Sequence, residues 1–540
     1  MASSLTGRAA FVAAACALLI STLPAAAQSY TLDFASYFGG NAYEHARDIF
    51  ADAEGNIYMV GGTRSLNFPA TPGAYDTSFN GGGGLSGEEM DAFAAKFNRA
   101  GQLQWCTYLG SPNYDRAYAV EVDAQGYVYV AGRASIGFPT TAGAFQPDYQ
   151  GQNFGGYGGP QNGFVAKLTP DGSGLVWASY AGTQALCRDL ALDADGGIYL
   201  PCSYSGSGPT APAAWLANAY QNAPRGGSES GVMKVRNDGT AVEWATYMGG
   251  TGYDSQELSI RVDANKNVYM LDQTASTDMP TTPGVVGATR PGGSTSDLYL
   301  AKVSPDGSQL LYGTYVGGNG EEWLSTHNLA LDAAGNAYVT AGTSSTNWPT
   351  TPGAFQPTKQ TAGFDWAVAK ISSTGALLAG TYIGNQGDGG DTDGVYVDGH
   401  GNVVMGGIIA GTHFPVTADA YQSQHDSIIG GDAALGVLEG DLSGVVYATY
   451  LGGAGDEYGR TLYADAAGNL YIAGQTTGAG WPAVNAVQGA YQGGQLDTML
   501  ARFTYIPEPG TLILMGSGSA MLLRKFLGRW WRASGSKSRP

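Results

Sequence analysis

The chain has 540 residues, of which 84 are glycine and 33 tyrosine, and only 13% are charged. Residues 28 to 505 carry 19 basic and 44 acidic side chains, a net charge of −25 that excludes nucleic acid and anionic membrane as partners of this region. Abundant glycine and tyrosine with few helix formers argue for many short strands joined by tight turns.

In chain order, Arg8 precedes the apolar run AAFVAAACALLISTL and then AAAQ. This order of charge, apolar stretch and small residues predicts a secretory signal over residues 1–27, cleaved between Ala27 and Gln28. Cys16 lies inside the apolar run without a lipid-attachment pattern around it.

From Tyr37 a tyrosine–glycine phrase recurs at Tyr108, Tyr180, Tyr247, Tyr315, Tyr382 and Tyr450. An Asp-x-x-Gly-Asn-like phrase keeps the same beat at Asp52, Asp123, Asp193, Asp263, Asp332, Asp398 and Asp465. Each unit reads as four strands. A short apolar segment enters the Asp turn, where the carboxylate bonds its own backbone and Gly or Asn accepts positive φ. A strand such as IYMVGGT follows, then a proline-rich phrase such as FPATPGAY at residues 68–75. A third strand such as DAFAAKFN, a tight turn and a fourth strand complete the unit.

Seven such units predict an all-β fold, a seven-bladed β-propeller of four-stranded blades over residues 28–505. A linear solenoid is the competitor, and the ends of the array decide against it. The last unit stops at its third strand, LDTMLARFTY, while a surplus strand, YTLDFASYFGG, precedes the first. Donating the N-terminal strand to the last blade closes the ring and removes an open edge.

The phrases Tyr-x-Gly-Gly, Asp-x-x-Gly-Asn-x-Tyr and Phe-Pro-Thr-Thr-Pro-Gly-Ala-Phe, with a recurrent strand-three Lys, resemble the bacterial SBBP-type β-propeller repeat. The third unit departs from the pattern with PTAPAAW, and the sixth lacks the Lys. The hairpin alone is similar to an NHL repeat, whose units are much shorter. The resemblance implies a fold and no agreed activity.

Residues 506–532 hold Pro507-Glu508-Pro509, an apolar stretch from Thr511 to Leu523 and a basic cluster from Arg524, and residues 533–540 read as a disordered tail. This three-part order resembles the PEP-CTERM sorting signal. The resemblance implies export, transient anchoring in the inner membrane and cleavage by an exosortase-type enzyme in bacteria that make extracellular polysaccharide. The alternative is a plain membrane anchor, for which the stretch is short. The expected destination is the cell envelope, outer surface or extracellular matrix.

Cys187 and Cys202 bracket two short strands about a turn, which makes them candidates for a disulfide across a hairpin; buried thiols, with Cys106, are the other reading. The proline-rich phrase is expected on the loop-rich face, its TPGAF forming a single helical turn whose aromatic ring plugs the gap between blades. On the same face Glu44, Asp115, Asp254, Glu321, Glu322, Asp388, Asp391, Asp456 and Glu457 suggest an acidic ring, read as solvated loops or as a surface for a cation. Its densest part, DGGDTDG, makes Asp388, Asp391 and Asp393 a candidate Ca²⁺ site that lacks the downstream Glu of an EF-hand.

Lys96, Lys167, Lys234, Lys302, Lys370 and Arg502 recur at one strand-three position, as structural residues do, with an expected partner in the neighbouring blade. The five histidines fall at unrelated repeat positions, and no catalytic constellation or cofactor motif is visible. The expected function is a non-catalytic binding or scaffold module of the cell surface or exopolysaccharide matrix, acting through its acidic loop face. A propeller enzyme, lyase or glycosidase, acting on polysaccharide is the alternative.

Overall fold

Each aspartate phrase closes a hairpin through the side chain that the sequence places there. Asp52 Oδ1 accepts the N–H groups of Glu54 and Asn56 at 3.1 and 2.8 Å, and Oδ2 accepts Asn56 Nδ2 at 2.8 Å and the Tyr58 hydroxyl at 3.0 Å. Gly55 has φ 82°, which a side chain would resist. Asp465 makes the same four bonds with Ala467, Asn469 and Tyr471.

The computed structural model describes residues 29–507 except 82–88, 154–159, 183–185, 206–210, 255–257, 293–295, 361, 385–391, 412–413 and 427–429, and leaves out the side chains of 29, 152, 153, 160 and 202–205. The molecule divides into a large unit, Leu32–Thr504, and a small one made of the two chain ends. In the described part of the small unit, the rings of Tyr30 and Tyr505 meet at 5.7 Å.

The large unit is a seven-bladed β-propeller. Among the described residues the strands form seven antiparallel sheets, each with its first strand innermost. Blades 1 to 6 span residues 44–109, 116–181, 191–248, 259–316, 322–383 and 392–451. Blade 7 takes its first three strands from 457–506 and its fourth from Ser29–Phe38, so the N-terminal strand closes the ring. Asp33 on that strand accepts two bonds from Arg502, at 2.9 and 2.7 Å.

The cores lie between neighbouring blades. Val60, Ala94 and Trp105 of blade 1 pack with Val120, Val130 and Ala166 of blade 2. Burying each large side chain contributes roughly 1.5–3 kcal/mol.

The proline-rich phrase is a strap along the outer strand, which corrects its expected position. The Thr71 N–H donates to Cys106 of the fourth strand at 2.9 Å, and the Tyr75 N–H to Gly172, in the last turn of the next blade, at 2.8 Å. The equivalent bonds run from Thr351 to Gly380 and from Phe355 to Leu442. The expected helical turn is a β-turn, with Ala74 N–H on the Thr71 carbonyl at 3.1 Å and Gly73 at φ 87°. Pro followed by a positive-φ Gly fits a type II turn, which ends a helix before it starts. The leading aromatic is the deeper plug: Phe68, Phe138, Trp348, Phe414 and Trp481 are buried, while at the far end Tyr75 and Phe145 are partly buried against the inter-blade cores as expected and Phe355 and Tyr421 are exposed.

The repeated lysine meets an acid of its own blade, while the expected partner in the neighbouring blade is a carbonyl or amide oxygen rather than an acid. Lys302 Nζ is 3.3 Å from Asp263, and Lys370 Nζ is 3.6 Å from Asp332. The next blade supplies a neutral acceptor: Lys370 donates to the Gly440 carbonyl at 3.1 Å and Lys167 to Asn237 Oδ1 at 2.7 Å.

Candidate functional site

In four blades the innermost strand carries a one-residue β-bulge at the same repeat position. The pairing skips one residue between Ala46 and Asp48, Ala117 and Ala119, Thr392 and Gly394, and Gly459 and Thr461. The extra residues are Arg47, Tyr118, Asp393 and Arg460, five positions before the turn aspartate in each repeat. A bulge bends the strand and re-aims a side chain. On the innermost strand of a propeller, that aims it at the central channel. Opposite the bulge sits a glycine with no room for a side chain. A Cβ on Gly61 would lie 2.1 Å from the His45 carbonyl, and one on Gly132 2.2 Å from the Arg116 carbonyl.

The same repeat position holds Arg188 in blade 3, Leu258 in blade 4 and His327 in blade 5. Six of the seven channel positions are therefore polar and the set does not repeat. The Asp turn keeps its repeat in all seven units, and the lysine and the strap keep theirs in most; this position does not.

Four guanidiniums surround one phenol. The Cζ atoms of Arg116, Arg188, Arg47 and Arg133 lie 4.7, 5.3, 5.4 and 5.7 Å from the Tyr118 ring centroid. Arg116 donates to the Tyr118 hydroxyl and, through Nη1, to His45 Nε2 at 2.7 Å. Arg133 donates to the Tyr114 hydroxyl at 2.8 Å. Arg460 adds a fifth cation over Tyr458, 5.2 Å away, and stands 3.6 Å from Asp393. The Nε–H groups of Arg47, Arg116 and Arg133 are buried without a hydrogen-bond acceptor.

The electrostatics follow from this crowding. Burial disfavours ionisation of Tyr118, but the fields of Arg116, Arg133, Arg188 and Arg47 outweigh it and hold the phenol well below its usual range. Burial, and then the charges of Arg47, Arg116, Arg460 and Arg133, push His45 well below the usual imidazole value, so it accepts from Arg116 as a neutral ring. Burial and Arg116 bring Arg47 down to about 9.

Next to the cluster the channel is crossed by an ion-pair plug. His327, held at φ 63°, reaches from blade 5 to Asp48 of blade 1 at 3.5 Å and to Asp189 of blade 3 at 3.4 Å. Burial lowers the His327 pKa, but Asp48 and Asp189 raise it further, to about 9. Arg261 pairs with Asp189 at 2.7 Å. Arginine and tyrosine, together with charged pairs that already have partners, thus line one stretch of the channel, the cup.

Five of the nine acids of the predicted ring are not at the surface, whereas Glu321 and Asp456 are partly exposed. Glu44, Asp115, Asp254, Glu322 and Glu457 are each 0% exposed, which corrects both the solvated-loop and the cation-surface expectations for these five. Each faces an equally buried acid that begins the third strand of the preceding blade: Asp497, Asp91, Glu229, Asp297 and Asp432. The pair closes over the first glycine of Tyr-x-Gly-Gly. A Cβ on Gly317 would lie 2.5 Å from Asp297 Oδ1 and 2.7 Å from Glu322 Oε2, and one on Gly249 2.8 Å from both Asp254 and Glu229. Burial pushes Asp91 up to about 8 and Asp115, Glu457 and Asp497 up to about 7, and the charge of the paired acid raises Asp91, Glu457 and Asp497 further. The ring is a set of proton-sharing joints between blades. Between blades 2 and 3 the following repeat supplies no acid, and the strand-three residue is Asn162, which donates to the Gly182 carbonyl.

Of the other predicted site residues, Asp393 is buried in the channel wall beside Arg460, whereas Asp388 and Asp391 lie outside the described residues. No group of three or more metal-ligating side chains occurs among the described residues. Cys187 is buried; the Cys202 side chain, Ala27, Gln28, Glu508 and Pro509 lie outside the description, and Pro507 is its last residue. The sequence reading missed the channel cluster. Its signal was one column of the repeat alignment, where Arg, Tyr, Arg, Leu, His, Asp and Arg stand in place of a repeated residue.

A family model for the SBBP beta-propeller repeat matches residues 104–139 and 446–480, so the chain carries SBBP-type propeller repeats. No curated protein matches. Solved structures similar to it include a protein of unknown function from Dyadobacter fermentans, at 9% identity and a TM-score of 0.42 over 88% of this chain and 99% of that one. The WD40 repeats of RRP9 match at 7% identity and 0.42, covering 88% and 99%. The polysaccharide lyase Uly1 matches at 8% identity and 0.40, covering 89% and 99%.

Proposed function

We propose that this protein is an exported, non-catalytic binding or scaffold module of the cell surface or extracellular matrix, and that it binds through the cup of its central channel rather than through an acidic face. One observation carries the reading: the channel position varies from blade to blade at bulged residues, while the structural positions are kept in most blades. Packing demands the same residue in every blade, whereas a ligand is met once, by different residues from different blades. Export rests on the sequence signals at the two ends, with an exosortase-type enzyme as the processing partner and extracellular polysaccharide or a surface protein as the ligand class. A glycan array probed with the secreted protein and with Arg116→Glu tests the reading: signals that the substitution removes support it, and an unchanged pattern contradicts it.

A second reading, an enzyme that cleaves polysaccharide, is favoured by Tyr118 and neutral His45 meeting on Arg116. A phenol drawn down by cations beside an imidazole is a pair suited to proton transfer. Ultraviolet detection of unsaturated sugar ends after incubation with acidic polysaccharides separates this reading from the first.

A further inference from the structure

We infer that the cup is an oxyanion site and that its ligand is an acidic sugar, bound by its carboxylate; the inference rests on the channel reading above and names the ligand class for it. Around Tyr118, the positive charges of Arg47, Arg116, Arg133 and Arg188 meet within one blade-spanning cluster. Like charges this close destabilise a fold unless something negative joins them, and the Tyr118 hydroxyl that they surround can offset at most one of the four. The chain holds an excess of acids, yet it places them in the blade joints and in the ion-pair plug of the channel, where Asp48 and Asp189 are already engaged by His327 and Arg261. Three of the guanidiniums keep a buried Nε–H without an acceptor. Forked donors of this kind match the two oxygens of a carboxylate or the edge of a sulfate.

Composition of the wall narrows the carrier of that charge. Tyr43 and Tyr458 are only half-buried and each lies under a guanidinium, Arg64 at 5.0 Å and Arg460 at 5.2 Å. Amphipathic aromatic faces beside fixed cations suit a ligand with an apolar ring face and one charged substituent, which describes a uronic acid. The net −25 of the surrounding body disfavours a long polyanion along the surface but leaves one charged residue free to enter the cup.

Calorimetric titration of the secreted protein with galacturonate, galactose and inorganic sulfate tests the inference. Galacturonate should bind saturably and galactose should not, and sulfate should compete with galacturonate. Arg133→Gln and Arg188→Gln should each weaken galacturonate by about tenfold or more, while Arg236→Gln, at an exposed ion pair with Asp238, should leave it unchanged. Unchanged melting curves or higher Tm would show that the variants remain folded. Equal binding of galactose and galacturonate, or sulfate binding without galacturonate binding, overturns the acidic-sugar assignment. If binding of neutral sugar is lost in Tyr458→Ala but ignores the arginine variants, the oxyanion inference fails and the channel reading stands. If neither the arginine variants nor Tyr458→Ala changes binding of any tested ligand, the channel reading itself fails.

Discussion

Asp297 and Glu322, from adjacent blades, turn one carboxyl oxygen each onto the space above Gly317, and both residues are fully buried. Burial, with the charge of Glu322, raises the Asp297 pKa, so the joint holds a proton near neutrality. A group whose folded pKa is raised contributes stability that is complete below its unfolded pKa and is lost as pH climbs through the folded value. For Asp91, Asp115, Glu457 and Asp497 that window runs from about 4 to about 7–8. His327, raised to about 9, acts in the same direction at higher pH. The Tm should therefore fall by several degrees between about pH 5 and about pH 8.5. A Tm that rises over this range would contradict the proton-sharing joints.

Asp91→Asn copies the amide that the chain itself uses at position 162. Asp91 Oδ1 has no hydrogen-bond partner, and an amide there can donate to Asp115 without taking up a proton. The variant should be at least as stable as the parent near pH 8 and show a shallower pH dependence, with a gain of about 1 kcal/mol. Thermal melts at two pH values read this directly. A loss of stability at both would show that the charge of Asp91 is needed.

Arg133→Gln should stabilise the protein. The change removes one of four guanidiniums around Tyr118 at the cost of the bond to the Tyr114 hydroxyl. Functional sites commonly hold such strain, and relieving it yields about 0.5–2 kcal/mol. Denaturant unfolding checks the sign; a clear destabilisation would mean that the cluster is a structural support.

Ring closure makes the first strand indispensable. Removing residues 28–40 strips the fourth strand of blade 7, exposes an edge and should cause a large drop in Tm or aggregation. Asp33→Asn isolates the electrostatic part; Asp33 is about one-third exposed, so its pairing with Arg502 is worth only about 1 kcal/mol. An unchanged Tm after the deletion would rule against closure.

The bulges that build the cup depend on small residues across from them. Gly61→Ala places a Cβ 2.1 Å from the His45 carbonyl and should cost about 1–3 kcal/mol. Chemical denaturation with a midpoint shift is the direct check, and a neutral effect would show that the bulge relaxes freely.

The blade count, the four strands and the closure were legible because the Asp turn and the Tyr-x-Gly-Gly phrase repeat, and Asp52 and Gly317 show the physical reason: one caps a hairpin and the other makes room for a carboxyl pair. The site was not legible for the opposite reason. Arg47, Tyr118, Arg188, His327 and Arg460 occupy one position in five of the seven repeats without one residue type common to all, so only the bulge and the ring geometry bring them together. Acids misled in a different way. Glu44 and Asp115 lie at the ends of loops between blades, where carboxylates are usually solvated, and the sequence carries no mark that the preceding blade folds over them.

Crystals soaked in sodium selenate test the central claim most directly, because the anomalous signal of selenium locates an oxyanion without any assumption about the sugar. The account predicts a peak inside the channel, within hydrogen-bond reach of Arg116 and Arg133. Selenate found only on the outer surface, with the cup holding no anomalous density, would contradict it.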